Sequence, residues 1–161
     1  MTNDFSENNT FGSTQPHINI NTQYVKDLSF ESPGAPASIF NNNASPKVEI
    51  NLDLAATALS EEAFEVELKI TITAKGEESV LFLTELTYAG VFTLHNISES
   101  EREAILFVHC PSILFPYARR VVSDVTRDGG FQPLMIAPVD FAALYAQKKQ
   151  ATFEDVNENF Q

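Results

Sequence analysis

Two segments near the middle of the chain alternate strictly between apolar and polar residues. Every second residue is apolar in residues 48–54, and the same pattern returns in residues 64–73. A period of two is typical of a β-strand with one buried and one solvated face. A further strand is predicted at residues 24–30, followed at residues 31–36 by two prolines and a glycine that indicate a turn or a crossing loop.

The fourth predicted strand, residues 80–86 with a continuation to residue 94, is apolar on both faces. Phe82 and Leu86 lie on one side of it, and Leu81 and Leu83 lie on the other. The short link before it predicts a hairpin. A strand with two apolar faces needs cover on both sides, or a partner.

After this strand the apolar period lengthens to that of a helix. Residues 98–101 carry a capping-box signature, and we expect Pro111 to interrupt the helix that follows. A longer helix is predicted at residues 113–125, ended by the glycine pair 129–130 in a left-handed cap. Residues 138–140 open a third helix.

Strands that precede helices predict the α+β class, with an antiparallel sheet rather than β-α-β units. We expect one domain at residues 23–146, between a flexible polar tail at residues 1–22 and a flexible acidic tail at residues 147–161. The start of the chain lacks the features of a secretory signal, and no apolar run approaches the roughly 20 residues of a membrane span. A cytoplasmic protein that does not insert into a membrane is therefore expected.

Charge narrows the range of partners. The 161 residues include 22 acidic and 10 basic side chains, a formal net charge of -12. This charge repels phosphate backbones and anionic lipids, so we exclude nucleic acid and expect neutral or basic partners. Fourteen of the acidic residues lie between Asp27 and Glu103, so most of the acidity belongs to the half of the chain that contains the predicted sheet.

No residue pattern indicates catalysis. The phosphate-binding motif Gly-x-x-x-x-Gly-Lys-Ser/Thr does not occur in the sequence. His109 and Cys110 are neighbours on a predicted helix, where successive side chains point about 100° apart. His17 lies in the predicted tail, and His95 would join His109 and Cys110 in a metal site only by an accident of folding. We predict no catalytic residue, no metal site, no cofactor and no enzymatic activity.

Aromatic residues leave two interpretations open. Thirteen phenylalanines and four tyrosines exceed what a small core obviously requires, although core packing accounts for most of them. The alternatives are a contact between subunits or an apolar groove for a partner. The helix at residues 113–125 presents the same choice, because its apolar stripe can pack on the sheet or on another subunit.

Three runs of residues, in a fixed order, carry a more specific signal. They are residues 24–33, residues 82–86 and residues 110–145, the last of which contains Cys-Pro-Ser-Ile-Leu-Phe-Pro-Tyr-Ala-Arg and Ala-Pro-Val-Asp-Phe-Ala-Ala-Leu-Tyr. Together they closely resemble the SecB protein-export chaperone family. The resemblance implies a four-stranded antiparallel sheet with helices packed on one side, assembled as a homotetramer that is a dimer of dimers. It also implies an ATP-independent cytosolic holdase that binds unfolded precursor proteins and delivers them to SecA.

The resemblance also assigns roles to individual positions. The residues that match the family's SecA-binding positions are Asp27, Glu31, Leu83 and Glu85. Those that match its client-binding groove are Phe40, Phe82, Thr84, Leu86 and Phe141. The subunit contact is instead inferred from helical spacing alone, for the apolar stripe Ile113, Tyr117, Val121 and Val125. At position 84 a threonine stands where the family often has a cysteine, which makes the groove slightly more polar.

Two other interpretations compete with the export holdase. The apolar cavity could belong to a peptide- or small-ligand-binding domain without a SecA role. An enzyme would need an acid, a base or a nucleophile in one pocket, for which His109 and Cys110 are the candidates.

Overall fold

The computed structural model describes residues 15–41 and 45–158, with side chains described up to residue 151. Its elements are β1 (His17–Glu31), α1 (Ala37–Phe40), β2 (Lys47–Ala58), β3 (Ala63–Lys75), β4 (Val80–His95), α2 (Glu99–Ala104), a π-helical segment (Ile105–His109), α3 (Cys110–Asp128) and α4 (Phe141–Glu158). The predicted α+β class is confirmed, because the four long strands come before the long helices.

The strands form one antiparallel sheet in the order β1-β4-β3-β2. Consecutive hairpins join β2, β3 and β4, whereas β1 lies beyond β4 and reaches β2 through the crossing connection that contains α1. The prolines and glycine of this connection prevent a tight hairpin between β1 and β2. β1 and β2 are therefore the two edges of the sheet.

The first strand is longer than predicted. It begins at His17, which pairs with His95, so residues 17–22 are paired with β4 rather than part of a tail. Ile18 and Ile20 alternate with polar residues and lie opposite apolar residues of β4, which is the physical reason for the extension. The predicted tail at residues 1–14 lies outside the described residues.

The core lies on one face of β3 and β4. Val66, Leu68, Ile70 and Ile72 of β3 are fully buried on this face, beneath α3. The helix contributes Leu114, Ala118 and Val122 to the same core, and all three are 0% exposed. The polar residues of β3 have the opposite phase and point to the other side, called here the helix-free face.

The predicted interruption at Pro111 is wrong. Helical residues run without a break from Glu99 to Asp128, with the π-helical segment placed immediately before α3. Proline lacks an N–H group and its ring crowds the preceding turn, and the wider π turn accommodates it without ending the helix.

This 30-residue helix bears on the expectation that no apolar run is long enough to span a membrane. It contains an 18-residue window with a mean hydropathy of 1.2, so by length and composition it could cross a membrane. The core helix of a folded domain meets the same criterion. Here Leu114, Ala118 and Val122 pack one face of it against the sheet.

The ends of the last two helices follow local sequence signals. Gly130 has a φ of +90°, the left-handed conformation predicted for the glycine pair after α3. At the start of α4, the Asp140 carboxylate accepts a hydrogen bond of 3.1 Å from the Ala143 N–H. The helix then continues through Glu158, so residues 147–158 are helical where a flexible tail was expected.

Candidate functional site

The helix-free face brings together the four residues predicted to contact SecA. Across the β1–β4 pair, Glu31 lies opposite Leu83, and Glu85 and Asp27 occupy the next two rows of the same face. Asp27, Glu31 and Glu85 are exposed and Leu83 is half-buried. We call these four residues the docking patch; it combines one apolar side chain with three carboxylates along three consecutive rows of the face.

The acidic residues of the docking patch differ from the others on the helix-free face. Glu49, Asp53, Glu65 and Glu67 each lie 2.6–3.2 Å from a lysine ammonium group. Among the described residues, none of the three patch carboxylates makes an ion pair. Their negative charge is therefore free to act on a partner.

Next to the docking patch, a polar network spans β1 and β3. The Lys26 ammonium lies 2.8 Å from Glu65 Oε1 and 2.6 Å from Glu67 Oε1, and the Tyr24 hydroxyl donates to Glu65. Hydrogen bonds to Glu65 and Glu67 raise the pKa of Lys26. The bonds from Lys26 and Tyr24 hold the pKa of Glu65 below its usual value. The network thus ties both carboxylates to one ammonium group and keeps a net charge of -1.

Four of the five predicted groove residues lie in the core. Phe82, Thr84, Leu86 and Phe141 are 0–4% exposed, whereas Phe40 is 81% exposed at the end of α1 and does not share their surroundings. The Thr84 hydroxyl donates a 2.8 Å hydrogen bond to the Ser29 carbonyl of β1, so the polar group at this position is satisfied.

An aromatic cluster covers Phe82. Its ring lies 5.6 Å from Phe30 and 4.9 Å from Phe131, measured between centroids, and Phe131 follows the end of α3. Gly129 makes this packing possible, because a Cβ atom there would lie 2.3 Å from Phe30. A client side chain reaches Phe82 only if Phe131 and its segment move.

An open cleft of about 780 Å³ lies beneath the connection between β1 and β2, where the predicted groove was expected to run. Small residues of the connection, including Gly34, Ala37 and Ser38, form one side of it, and the β3–β4 hairpin with Leu81 forms the other. The cleft is lined mostly by small and charged residues, so it is more polar than the groove predicted from the sequence.

Apolar residues of α3 and β1 remain exposed on the helix side of the sheet. In the predicted stripe of α3, Tyr117 is 53% exposed and stacks at 6.3 Å on Tyr88, while Ile113, Val121 and Val125 are half-buried. Ile20, Val25 and Leu28 of β1 are 42–46% exposed. The β1 residues were missed in the sequence analysis, although the alternation around Ile20 was a signal that could have found them.

The histidines lie near one another but form no metal cluster in the described part of the chain. His95 stacks on His17 with centroids 4.3 Å apart and lies 3.6 Å from Glu62, and His17 lines a cavity of about 340 Å³ together with the exposed His109. Among the described residues, no group of three or more His, Cys, Asp or Glu side chains could hold a metal ion. Burial raises the pKa of the Cys110 thiol to about 12, which opposes formation of a thiolate nucleophile.

Comparison with known proteins identifies the family. The profile of the family described as preprotein translocase subunit SecB matches residues 12–152. The chain belongs to the SecB family. The protein-export protein SecB of Rickettsia rickettsii (strain Iowa) is 49% identical over 142 residues, and that of Rickettsia akari (strain Hartford) is 50% identical. Each match covers 88% of this chain and 93% of the relative.

The fold is also similar to that of a solved SecB-like chaperone. This protein of Mycobacterium tuberculosis, in complex with a ChAD peptide from the HigA1 antitoxin, matches with a TM-score of 0.65. The match covers 76% of this chain and 90% of that one, at 18% sequence identity. It confirms the predicted SecB-like fold of a single subunit.

Membership of the SecB family confirms the resemblance found in the sequence and the assignment to protein-export chaperones. SecB proteins are a chaperone family; that this chain has no catalytic activity stays a prediction. The assignment of individual residues to the SecA site, the client groove and the subunit contact stays a prediction.

The burial of Cys110 can be tested chemically. We expect iodoacetamide at pH 8 to leave the thiol of the folded protein unmodified, because its pKa of about 12 suppresses the thiolate and the core excludes the reagent. Mass spectrometry of the intact protein measures the modification, and the same reaction in urea is the control. Rapid alkylation without urea would contradict the burial and revive the nucleophile hypothesis.

Proposed function

We propose that this chain is a cytoplasmic, ATP-independent export chaperone, which binds unfolded precursor proteins and delivers them to SecA. The observation that carries the proposal is the docking patch. Three carboxylates that make no ion pair among the described residues share an exposed sheet face with Leu83, whereas the neighbouring carboxylates are ion-paired with lysines. Such a surface suits a compact basic module, because unpaired charges steer encounter and an apolar centre adds contact area.

Capture of a client requires no chemistry. An unfolded chain exposes apolar stretches that a folded protein buries, so apolar contact alone discriminates between the two states, at about 25 cal/mol per Å² of apolar area buried. Phe82 would contribute to this surface when the segment that contains Phe131 moves aside. The cleft beneath the β1–β2 connection supports an extended client entering at this end of the sheet.

Client selectivity is the direct test of the holdase. We expect a precursor diluted from urea to bind with at least about tenfold higher affinity than the same precursor after folding, since only the first exposes apolar stretches. Isothermal titration calorimetry with and without ATP measures both the discrimination and its independence of nucleotide. Equal binding to the two states would exclude a holdase.

The docking patch is tested by reversing one charge. We expect Glu85→Lys to weaken binding of purified SecA about tenfold or more, mainly through slower association. Glu49→Lys is the matched control, because Glu49 lies on the same face but is paired with Lys75 at 3.1 Å. Unchanged SecA binding by Glu85→Lys, with client binding intact, would favour the peptide-binding domain without a SecA role.

We also propose that the chain assembles as a homotetramer, a dimer of dimers. Tyr117 and the apolar residues Ile20, Val25 and Leu28 of the β1 edge are unusually exposed for side chains of their size. A second copy that covers α3 and β1 would bury them, and a symmetric contact uses the same surface on both copies. Several grooves on one assembly would then combine weak contacts with one long client.

Assembly is tested by introducing a charge into this surface. We expect Tyr117→Asp to lower the mass measured by light scattering after size exclusion, because the new carboxylate would be buried without a partner. Asn51→Asp introduces the same charge on the helix-free face and should leave the mass unchanged. A wild-type chain that is monomeric at micromolar concentration would refute the tetramer.

A further inference from the structure

β1 contains one extra residue beside the docking patch. Val25 pairs with Tyr88 and Asp27 pairs with Thr87, two consecutive residues of β4, so Lys26 has no partner of its own in the register. This arrangement is a β-bulge, in which two residues of one strand oppose one residue of the other.

The bulge decides which face Asp27 and Glu31 occupy. Val25 lies on the helix side, in the phase of Tyr88, and strict alternation from it would place Asp27 and Glu31 on that side as well. After the extra residue, Leu28 takes the helix side opposite the buried Leu86. Asp27 and Glu31 consequently point to the helix-free face.

Contacts of Lys26 hold the bulge to the middle of the sheet. Its side chain crosses β4 to reach Glu65 and Glu67 of β3, at 2.8 and 2.6 Å. Ala89 of β4 pairs with Tyr24 of β1 on one side and with Glu67 of β3 on the other. Its short side chain leaves room for the Lys26 side chain to cross β4. The Tyr24 hydroxyl donates to Glu65, so one of the acceptors is itself held in place.

We propose that Lys26 is a positioning residue, which keeps Asp27 and Glu31 in the docking patch by tying the bulge to Glu65 and Glu67. The inference rests on the proposed SecA role of the patch. It adds that Lys26 is required for SecA binding although its positive charge repels a basic partner. Lys26 acts through the backbone of β1 and need not touch the partner.

A purely electrostatic role for Lys26 predicts the opposite result. Removing Lys26 makes the face more negative and leaves Glu65 and Glu67 without their cation, so charge alone would strengthen binding of a basic partner. A positioning role predicts weaker binding in spite of the added negative charge. The sign of the change therefore separates the two explanations.

The experiment compares Lys26→Gln, Lys26→Arg and Lys69→Gln in the full-length assembled protein. Lys69 lies on the same face of β3 and makes no ion pair among the described residues, so Lys69→Gln removes an equal charge without loosening the bulge. For purified SecA at low salt, we expect Lys26→Gln to weaken binding about fivefold and Lys26→Arg to retain it within about twofold. Lys69→Gln should leave binding unchanged or slightly stronger.

Hydrogen exchange supplies a second measurement that does not depend on SecA. Backbone amides of residues 27–31 should exchange faster in Lys26→Gln, but not in Lys26→Arg or Lys69→Gln. Unchanged exchange, or SecA binding as strong as that of the wild type, would overturn the proposal. If the wild-type protein itself does not bind SecA, the proposed function fails, and the exchange rates alone then decide whether Lys26 positions these residues.

Discussion

Pairing of β4 with both β1 and β3 is the constraint on which the other features of this chain depend. Along β4, buried residues such as Thr84 and Leu86 face α3, and Leu83 and Glu85 take the opposite side. Because β4 lies between β1 and β3, its register determines which side chains of those two strands lie on each face of the sheet. The apolar core and the docking patch therefore lie on opposite faces of the same hydrogen-bonded strands.

Ion pairing divides the helix-free face into two regions. Lysines pair with the carboxylates toward β2 and toward the start of β1, whereas the carboxylates of the docking patch make no ion pair in the part of the chain that the structure describes. The total charge of -12 is thus less informative than its distribution. A partner would meet a small negative region bordered by ion-paired carboxylates, which favours one orientation of approach.

The helix side combines a closed core with an incompletely covered edge. Phe82 and Phe141 are buried by the chain itself, while Tyr117 and the apolar residues of β1 remain exposed. Both conditions are compatible with what we propose: a client surface that a moving segment would uncover, and a β1 edge that a second copy would cover. Burial of apolar side chains would supply the free energy in each case.

Alternation, caps and turns are local properties of consecutive residues, and they predicted the strands and the α+β class; the matching runs of residues indicated the family. Asp27 and Glu31 were also expected to share one face, since they lie four residues apart on a strand. Which face they occupy depends on the bulge at Lys26, which requires pairing with β4 and, as we propose, the carboxylates of β3. The burial of Phe82 by Phe131 likewise rests on a contact between distant segments. Such contacts follow from how the elements pack together, and no pattern of consecutive residues predicts them.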